Sequence, residues 1–247
     1  MRVEYAELSL KGGRETNQDR ICVAVAEDAA LLVACDGMGG HAEGERAAEI
    51  AQRTLVERFW HTPQPLLDPL GFLHLSLGAA HVGVVTLGLP LPLESRPRAT
   101  CALCLVQQGS AYWAHVGDSR VYHVRGGRVR ERTRDHSHVE LLVREGLINP
   151  GQVQNHPLRN FVESCLGGEP LLPEMAISQR RPLLPGDLLM VCTDGFWANL
   201  DETLIGSAFA TPEKPLRDTI AALSAQALLN AGGLSDNTSV AVVRLIE

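Results

Sequence analysis

A short apolar run that leads directly into Asp-Gly occurs twice in the chain, and it constrains the fold more than any other feature. Residues 31–35 lead into Asp36-Gly37, and residues 188–193 lead into Asp194-Gly195. An apolar run of this length, bounded by a turn signal, is typical of a strand buried in a core. Each acid is therefore expected at the end of a buried strand, where a rigid backbone fixes the direction of a short carboxylate side chain.

Three further aspartates occupy similar positions. Asp118 follows the apolar residues 114–117, while Asp19 and Asp236 precede the first and last strand-like runs. A single Asp at a strand end is usually just a turn former. Five of them, from distant parts of the chain, can meet at one rim of a sheet, where they would raise one another's pKa unless cations were present. The pattern predicts a site for a hard divalent cation such as Mg²⁺ or Mn²⁺, which prefers oxygen ligands.

The residues around two of these acids suit the same chemistry. The glycine-rich turn 37–40 lets the backbone approach an ion, so that a carbonyl can serve as a ligand. His41 follows at the mouth of a helix, positioned to donate a proton to a leaving group. Arg14, before Asp19, offers a planar fork of donors suited to phosphate. Taken singly, a surface His or a loop Arg is usually only solvated.

The remaining pattern indicates an α+β fold in one domain. Strand-like runs cover residues 21–26, 31–35, 100–107, 111–116, 120–124, 187–192 and 238–246. Helical stretches cover 139–147 and 216–230, and Ala47, Ala51, Leu55 and Phe59 recur every four residues, as one buried helix face requires. Blocks of strands and blocks of helices favour antiparallel sheets covered by helices.

Composition excludes several classes of protein. The net charge of -7 argues against a general nucleic-acid binder. Six cysteines are too few for a disulfide scaffold, and Cys101 and Cys104 have zinc-ligand spacing but no second pair, so we expect core residues. The N-terminus lacks the apolar core of a signal peptide, which favours a cytoplasmic location.

Residues 69–93 contain no Asp, Glu, Lys or Arg and are long enough to span a bilayer. Against a span stand four glycines, two histidines, two prolines near the end of the segment and the acidic flanks Asp68 and Glu94. We expect a buried or partner-covered helix. A contact surface for another protein, or a dimer face, is the hypothesis for this segment.

Six short motifs resemble those of one family. They are Arg14-Glu15-Thr16-Asn17-Gln18-Asp19, Asp36-Gly37-Met38-Gly39-Gly40-His41, Val116-Gly117-Asp118-Ser119-Arg120, Asp135-His136-Ser137, Thr193-Asp194-Gly195 and Ser235-Asp236-Asn237. In this order and over nearly the whole chain, they resemble the metal-dependent protein phosphatases of the 2C type (the PPM family) in their compact bacterial serine/threonine form. One departure is Ala99-Thr100-Cys101, where the family has a Gly-Thr-Thr-like stretch.

The resemblance implies one catalytic domain over 1–247, a sandwich of two antiparallel β-sheets flanked by helices (α-β-β-α), with the metals at one end. It implies that Asp36 bridges two Mn²⁺ or Mg²⁺ ions and that the Gly37 carbonyl binds one of them. Asp194 and Asp236 would hold the first ion, Asp19 would reach the second through water, and Asp118 with Asp194 would bind a weaker third ion. Arg14 would bind the substrate phosphate, and His41 would act as general acid.

The implied activity is hydrolysis of phosphoserine and phosphothreonine in proteins by water activated between two ions, which reverses the action of a cognate Ser/Thr kinase. The family's flap, here about 135–170, is expected to select substrates. Arg128, Arg130, Arg132 and Arg134 alternate just before it and either attract acidic phosphopeptides or form a solvated edge. The alternatives are a catalytically weak, phosphoprotein-binding regulator and a phosphatase of small phosphoesters.

Overall fold

A computed structural model of the chain describes residues 1–38 and 42–246. Its strands are β1 (Val3–Leu10), β2 (Asp19–Val25), β3 (Ala29–Met38), β4 (Arg98–Ala99), β5 (Cys101–Gln107), β6 (Ser110–Val116), β7 (Arg120–Arg125), β8 (Arg128–Arg132), β9 (Leu166–Gly167), β10 (Ala176–Ile177), β11 (Arg181–Pro182), β12 (Leu188–Cys192) and β13 (Thr238–Leu245). Its α-helices are α1 (Ala42–His61), α2 (Pro69–Gly88), α3 (His138–Arg144), α4 (Asp194–Trp197), α5 (Glu202–Ala208) and α6 (Leu216–Ala231). Single 3₁₀ turns cover Leu93–Ser95, Pro150–Asn155 and Gly232–Leu234.

The strands form two antiparallel sheets. One has the order β1-β13-β12-β7-β8 in the described part of the chain. The other has the order β10-β6-β5-β3-β4-β9, with β2 paired to β3 and β11 paired to β6. With helices on both outer faces, this confirms the predicted α-β-β-α sandwich.

The layers follow from the alternation of side chains along buried strands. In β3, Leu31 and Val33 point to the core shared with α1 and α2, whereas Leu32 points to the core between the sheets. In β12, Leu189 lies between the sheets, and Met190 faces the outer core that α6 covers. Strands buried on both faces read as continuous apolar runs, which is why these two were recognisable.

The same alternation explains the cysteines. All six are free. Cys101 and Cys104 are fully buried in β5, but Cys101 belongs to the core under the helices and Cys104 to the core between the sheets. They therefore lie on opposite faces and cannot bind one ion together. The prediction that they are core residues is confirmed.

Helices α1 and α2 pack together on one face of the sandwich. The predicted α1 face is fully buried at Ala47, Ala51, Leu55 and Phe59. Asp68 caps the N-terminus of helix α2, and its carboxylate accepts from the Gly71 N–H at 2.9 Å. Among the described residues it is the one helix long and apolar enough to cross a membrane, and 44% of its most apolar window is buried in the protein. Core helices pass the same test, and the partner surface at 69–93 stays a prediction.

Three of the four alternating arginines, Arg128, Arg130 and Arg132, lie in the edge strand β8. Arg128 and Arg130 are exposed, whereas Arg132 forms an ion pair with Glu202 of α5. This matches the interpretation of a solvated edge.

Candidate metal centre

Four of the predicted acids line one cavity of about 400 Å³, at one end of the sandwich. They are Asp36, Asp118, Asp194 and Asp236, and Arg14 and Gly37 line the same cavity. Asp19 is absent from this lining and lies behind it. His41 lies outside the described residues, so its predicted role stays a prediction.

Strand pairing explains why Asp194 and Asp236 meet. Strands β12 and β13 are antiparallel, with Cys192 opposite Val240. The end of β12 therefore lies beside the start of β13, and the Thr193 N–H donates to the Ser239 carbonyl at 3.1 Å. Asp194 begins α4 just beyond one strand, and Asp236 stands just before the other.

Asp36 lies inside a strand and not at its end, contrary to the sequence-based expectation. Strand β3 continues to Met38 because Gly37 pairs with Ala99 of β4. A Cβ on Gly37 would lie 2.0 Å from the Gly44 carbonyl oxygen, so only glycine lets this strand end pack against the first turn of α1.

Asp19 stands directly opposite Asp36 across the β2–β3 pair. It is 3% exposed, and its Oδ2 accepts from the Thr193 hydroxyl at 2.7 Å. Its Oδ1 is buried without a hydrogen-bond partner among the described residues. A buried, unpaired carboxylate oxygen is costly and needs a partner such as a water or an ion.

Asp118 is held by the loop between β6 and β7. Gly117 has φ +93°, and a Cβ there would lie 2.7 Å from the Thr100 Cβ. Thr100 shares a 2.7 Å hydrogen bond with the Ser119 hydroxyl, and its N–H donates to the Asp36 carbonyl at 2.9 Å. Thr100, in the stretch that departs from the family pattern, thus links the backbone of Asp36 to Ser119, the neighbour of Asp118.

A second contact fixes Asp118 from the other side. The Trp197 Nε1–H donates to the Asp118 carbonyl at 2.9 Å. The Arg120 guanidinium stacks on the Trp197 ring, with its Cζ 3.2 Å from the centroid. Arg120 also donates twice to the Asp135 carboxylate, each time at 2.7 Å.

Arg14 reaches the cavity on the loop between β1 and β2. Its Nη2 donates to Asp236 Oδ2 at 2.6 Å. Asn237 holds this loop, since its Nδ2 donates to the carbonyls of Lys11 and Thr16, and its Oδ1 accepts from the Gln18 N–H at 2.8 Å. Asn237 had no role predicted from the sequence. The feature that could have indicated a role is its side-chain amide, which has both donors and an acceptor and comes directly after a predicted metal ligand.

The carboxylates raise one another's pKa. Burial, and then the charges of Asp19 and Asp194, raise the pKa of Asp36 well above its ordinary value. Burial and the charge of Asp194 do the same to the pKa of Asp118. Burial and Asp236 raise the pKa of Asp194 to about 6, and burial raises the pKa of Asp19 to about 7. Four aspartate carboxylates share this cavity with the one guanidinium of Arg14 among its lining residues, and divalent cations would supply the missing positive charge.

No three Asp, Glu, His or Cys side chains within 1–38 and 42–246 are arranged closely enough to hold one ion. The acids thus share a cavity without forming a closed cage. Carboxylate and carbonyl oxygens that leave positions for water suit Mg²⁺ and Mn²⁺, which keep several waters when bound. The unpaired Asp19 Oδ1 and the raised pKa values fit the same ions.

No family model matches the chain. A putative protein phosphatase 2C-type of Streptococcus pyogenes is 31% identical over 219 residues, which cover 86% of this chain and 85% of the relative. The serine/threonine protein phosphatase PstP of Mycobacterium tuberculosis is 29% identical over 249 residues, 99% of this chain. The chain spans only 45% of the length of PstP, and the prediction of one domain over 1–247 stays a prediction.

Solved structures show the same similarity. The serine/threonine phosphatase of S. agalactiae superposes with a TM-score of 0.87, at 29% identity over 100% of both chains. The catalytic domain of PstP in complex with two manganese ions superposes with a TM-score of 0.82, at 26% identity over 99% of both chains. The shared fold and the identity over most of a whole relative confirm the resemblance drawn from the six motifs. The chain belongs to the bacterial serine/threonine protein phosphatases of the 2C type.

Proposed function

We propose that the chain is the catalytic domain of a Mn²⁺- or Mg²⁺-dependent phosphatase that hydrolyses phosphoserine and phosphothreonine in proteins. One observation carries this proposal: Asp36, Asp118, Asp194 and Asp236 share a cavity with Arg14. The related PstP domain binds two manganese ions, which supports the choice of metal.

The residues that would hold the ions are Asp36, the Gly37 carbonyl, Asp194 and Asp236, with Asp118 at a weaker third site and Asp19 acting through water. When bound, the ions would lower the pKa of a water molecule and neutralise charge on the phosphoryl oxygens. The raised pKa of Asp36 means that this carboxylate is poorly compensated by the protein itself, so it favours cation binding.

Arg14 would orient the phosphate. Its guanidinium has five N–H donors and uses Nη2 for Asp236, so the remaining donors can meet phosphoryl oxygens. Asn237 would maintain the position of the loop that carries Arg14. His41 is proposed to protonate the leaving Ser or Thr oxygen, on the family resemblance alone.

A phosphothreonine peptide assayed with Mn²⁺ tests the proposal. Asp36→Asn is expected to lose nearly all turnover, whereas Asp28→Asn, in an exposed turn between β2 and β3, keeps it. Turnover of the Asp36→Asn variant within a few-fold of wild type would overturn the ligand role. Nucleotides assayed in parallel separate a protein phosphatase from one that acts on small phosphoesters, and wild-type protein that binds the peptide without turnover would indicate a phosphoprotein-binding regulator.

The substrates are proposed to be phosphoproteins made by a Ser/Thr kinase in the same cell. A partner protein, or a second copy, at segment 69–93 is a separate proposal. It is supported by Leu75 and Val82, large apolar side chains of helix α2 that are 62% and 59% exposed.

A further inference from the structure

A second cavity of about 790 Å³, here called the flap cavity, lies outside the metal centre. Helix α3 contributes Glu140 and Leu141 to its walls, and the segment 169–174 contributes Leu172 and Glu174. Two histidines, His115 and His136, form part of its lining. None of the metal-site acids lines it, so it has no part in the chemistry proposed above.

One pair of chain segments separates the flap cavity from the metal centre. Ser137 and Val162 form an antiparallel bridge, and the Glu163 N–H donates to the His136 carbonyl at 2.8 Å. Val162 lines the metal cavity, while its neighbour Glu163 lines the flap cavity. Paired strands lie about 4.8 Å apart, so this two-stranded wall is about 10 Å wide, and a peptide that crosses it needs about three extended residues.

His115 presents an unused hydrogen-bond acceptor in the wall of the flap cavity. The side chain is 3% exposed, and its Nε2 lies 2.6 Å from the Arg134 carbonyl. A carbonyl only accepts, so Nε2 carries the proton and Nδ1 is an acceptor. Nδ1 is buried without a partner among the described residues. Burial lowers the pKa of His115 to about 4, which keeps the ring neutral.

The carboxylates that line the cavity outnumber its arginines, and Glu163 pairs with His138. Asp135 is neutralised by Arg120. The other charged lining residues are the glutamates Glu140, Glu163, Glu169 and Glu174 and the arginines Arg98, Arg134 and Arg144. No ion pair joins these glutamates to these arginines in the described structure. Glu174 stands two residues before Ala176, which pairs with His115 across β10 and β6.

We propose that the flap cavity binds one Lys or Arg side chain of the phosphoprotein substrate, about three residues from the phosphorylated Ser or Thr. The cation would meet Glu174 and donate to His115 Nδ1, and its aliphatic stem would lie on Leu141 and Leu172. The proposal rests on the proposed function and adds to it a preference for basic sequences at one distance from the phosphoresidue.

A peptide series tests this subsite. Phosphothreonine peptides carry one arginine at each position within four residues of the phosphothreonine, and each has a twin with neutral citrulline in its place. For wild type we expect arginine to raise kcat/KM about fivefold at one position, mainly through KM, as a partly exposed charge pair would. Glu174→Gln and Glu140→Gln should bring the arginine-to-citrulline ratio towards one. Glu213→Gln, an exposed change in neither cavity, should keep the wild-type ratio.

A ratio near one at every position in wild type would overturn the subsite, as would a preference that survives in both Glu174→Gln and Glu140→Gln. If no peptide is hydrolysed with Mn²⁺, the proposed function has failed. The subsite is then tested separately, by measuring how tightly the peptides bind. Fluorescence anisotropy with metal-free protein should still show tighter binding of the arginine peptide than of its citrulline twin. Equal Kd values would overturn the subsite.

Discussion

Arg14 and Asp236 lie 222 residues apart in the chain, and their side chains form an ion pair with 2.6 Å between Nη2 and Oδ2. The pair joins the loop after β1 to the residue that precedes β13. The two side chains are 59% and 37% exposed, so the pair is expected to add little to stability. Its importance lies in its position, because both residues line the metal cavity.

Replacing Arg14 should therefore affect turnover more than folding. Arg14→Ala is expected to lower kcat/KM for a phosphothreonine peptide about 100-fold, as loss of a donor to a developing charge does. Arg14→Lys keeps the charge but loses the planar fork, and should fall between that variant and wild type. Arg53→Ala, which removes an exposed ion pair on α1, is the control. Full activity in Arg14→Ala would rule out the phosphate-binding role.

The stability of the metal-free protein should fall as pH rises through neutrality. Asp19 and Asp194 have folded-state pKa values of about 7 and about 6, above the ordinary 3.8. A raised acid pKa means that the folded state binds more protons than the unfolded state, so unfolding becomes easier as pH rises through the folded pKa. The lowered pKa of His115 has the opposite effect, but only below about pH 6.5.

Thermal unfolding in a chelator, from about pH 6.5 to about pH 8.5, separates the effect of the acids on stability from that of the histidines. We expect Tm to fall by about 5 °C over this range and the fall to shrink with excess Mn²⁺. The Asp36→Asn substitution should also reduce the fall in Tm. A metal-free Tm that is constant or rises over this range would contradict the electrostatic description of the cavity.

Gly117 should tolerate a side chain less well than Gly109. Both have positive φ, of +93° and +63°, but a Cβ on Gly109 would meet nothing within 4 Å, whereas one on Gly117 would meet Thr100. Gly117→Ala is expected to cost about 2 kcal/mol more in unfolding free energy than Gly109→Ala. Denaturant titration measures both. Equal costs would show that the contact with Thr100 relaxes freely.

The buried pair of Arg120 and Asp135 should be sensitive to loss of one partner. Their side chains are 10% and 7% exposed. Asp135→Asn leaves the Arg120 guanidinium buried without a counter charge and is expected to cost about 3 kcal/mol. Glu57→Gln, which breaks the exposed pair with Arg53, should cost less than about 0.5 kcal/mol. Similar losses in the two variants would mean that water reaches Arg120.

Much of the fold was predictable because its central strands are buried on both faces. β3 and β12 appear in the sequence as apolar runs, and α1 as a four-residue repeat. The same criteria do not identify β1, although all eight of its residues pair with β13. Its side chains are half-buried or exposed, as for Tyr5 at 54%, so no apolar run marks it. Its position depends on pairing with a partner from the far end of the chain.

Site residues were predictable where the residue type itself indicates the chemistry. They were less predictable where a tertiary contact brings a residue to the site. The sequence marked Asp36, Asp118, Asp194 and Asp236, which line the cavity. The flap was expected beside the site, but no residue type marks Asn160 and Val162, because a bridge between Ser137 and Val162 brings them there. Asp19 was expected at the rim but does not line the cavity, and its carboxylate accepts a hydrogen bond from Thr193.

Anomalous scattering from crystals grown with Mn²⁺ tests the central claim most directly. The expected result is two strong peaks in the cavity, both next to the Asp36 carboxylate, one of them also within ligand distance of Asp194 and Asp236, at about 2.0–2.3 Å. A map from protein active in the same buffer that shows no peak beside these three carboxylates would contradict the account.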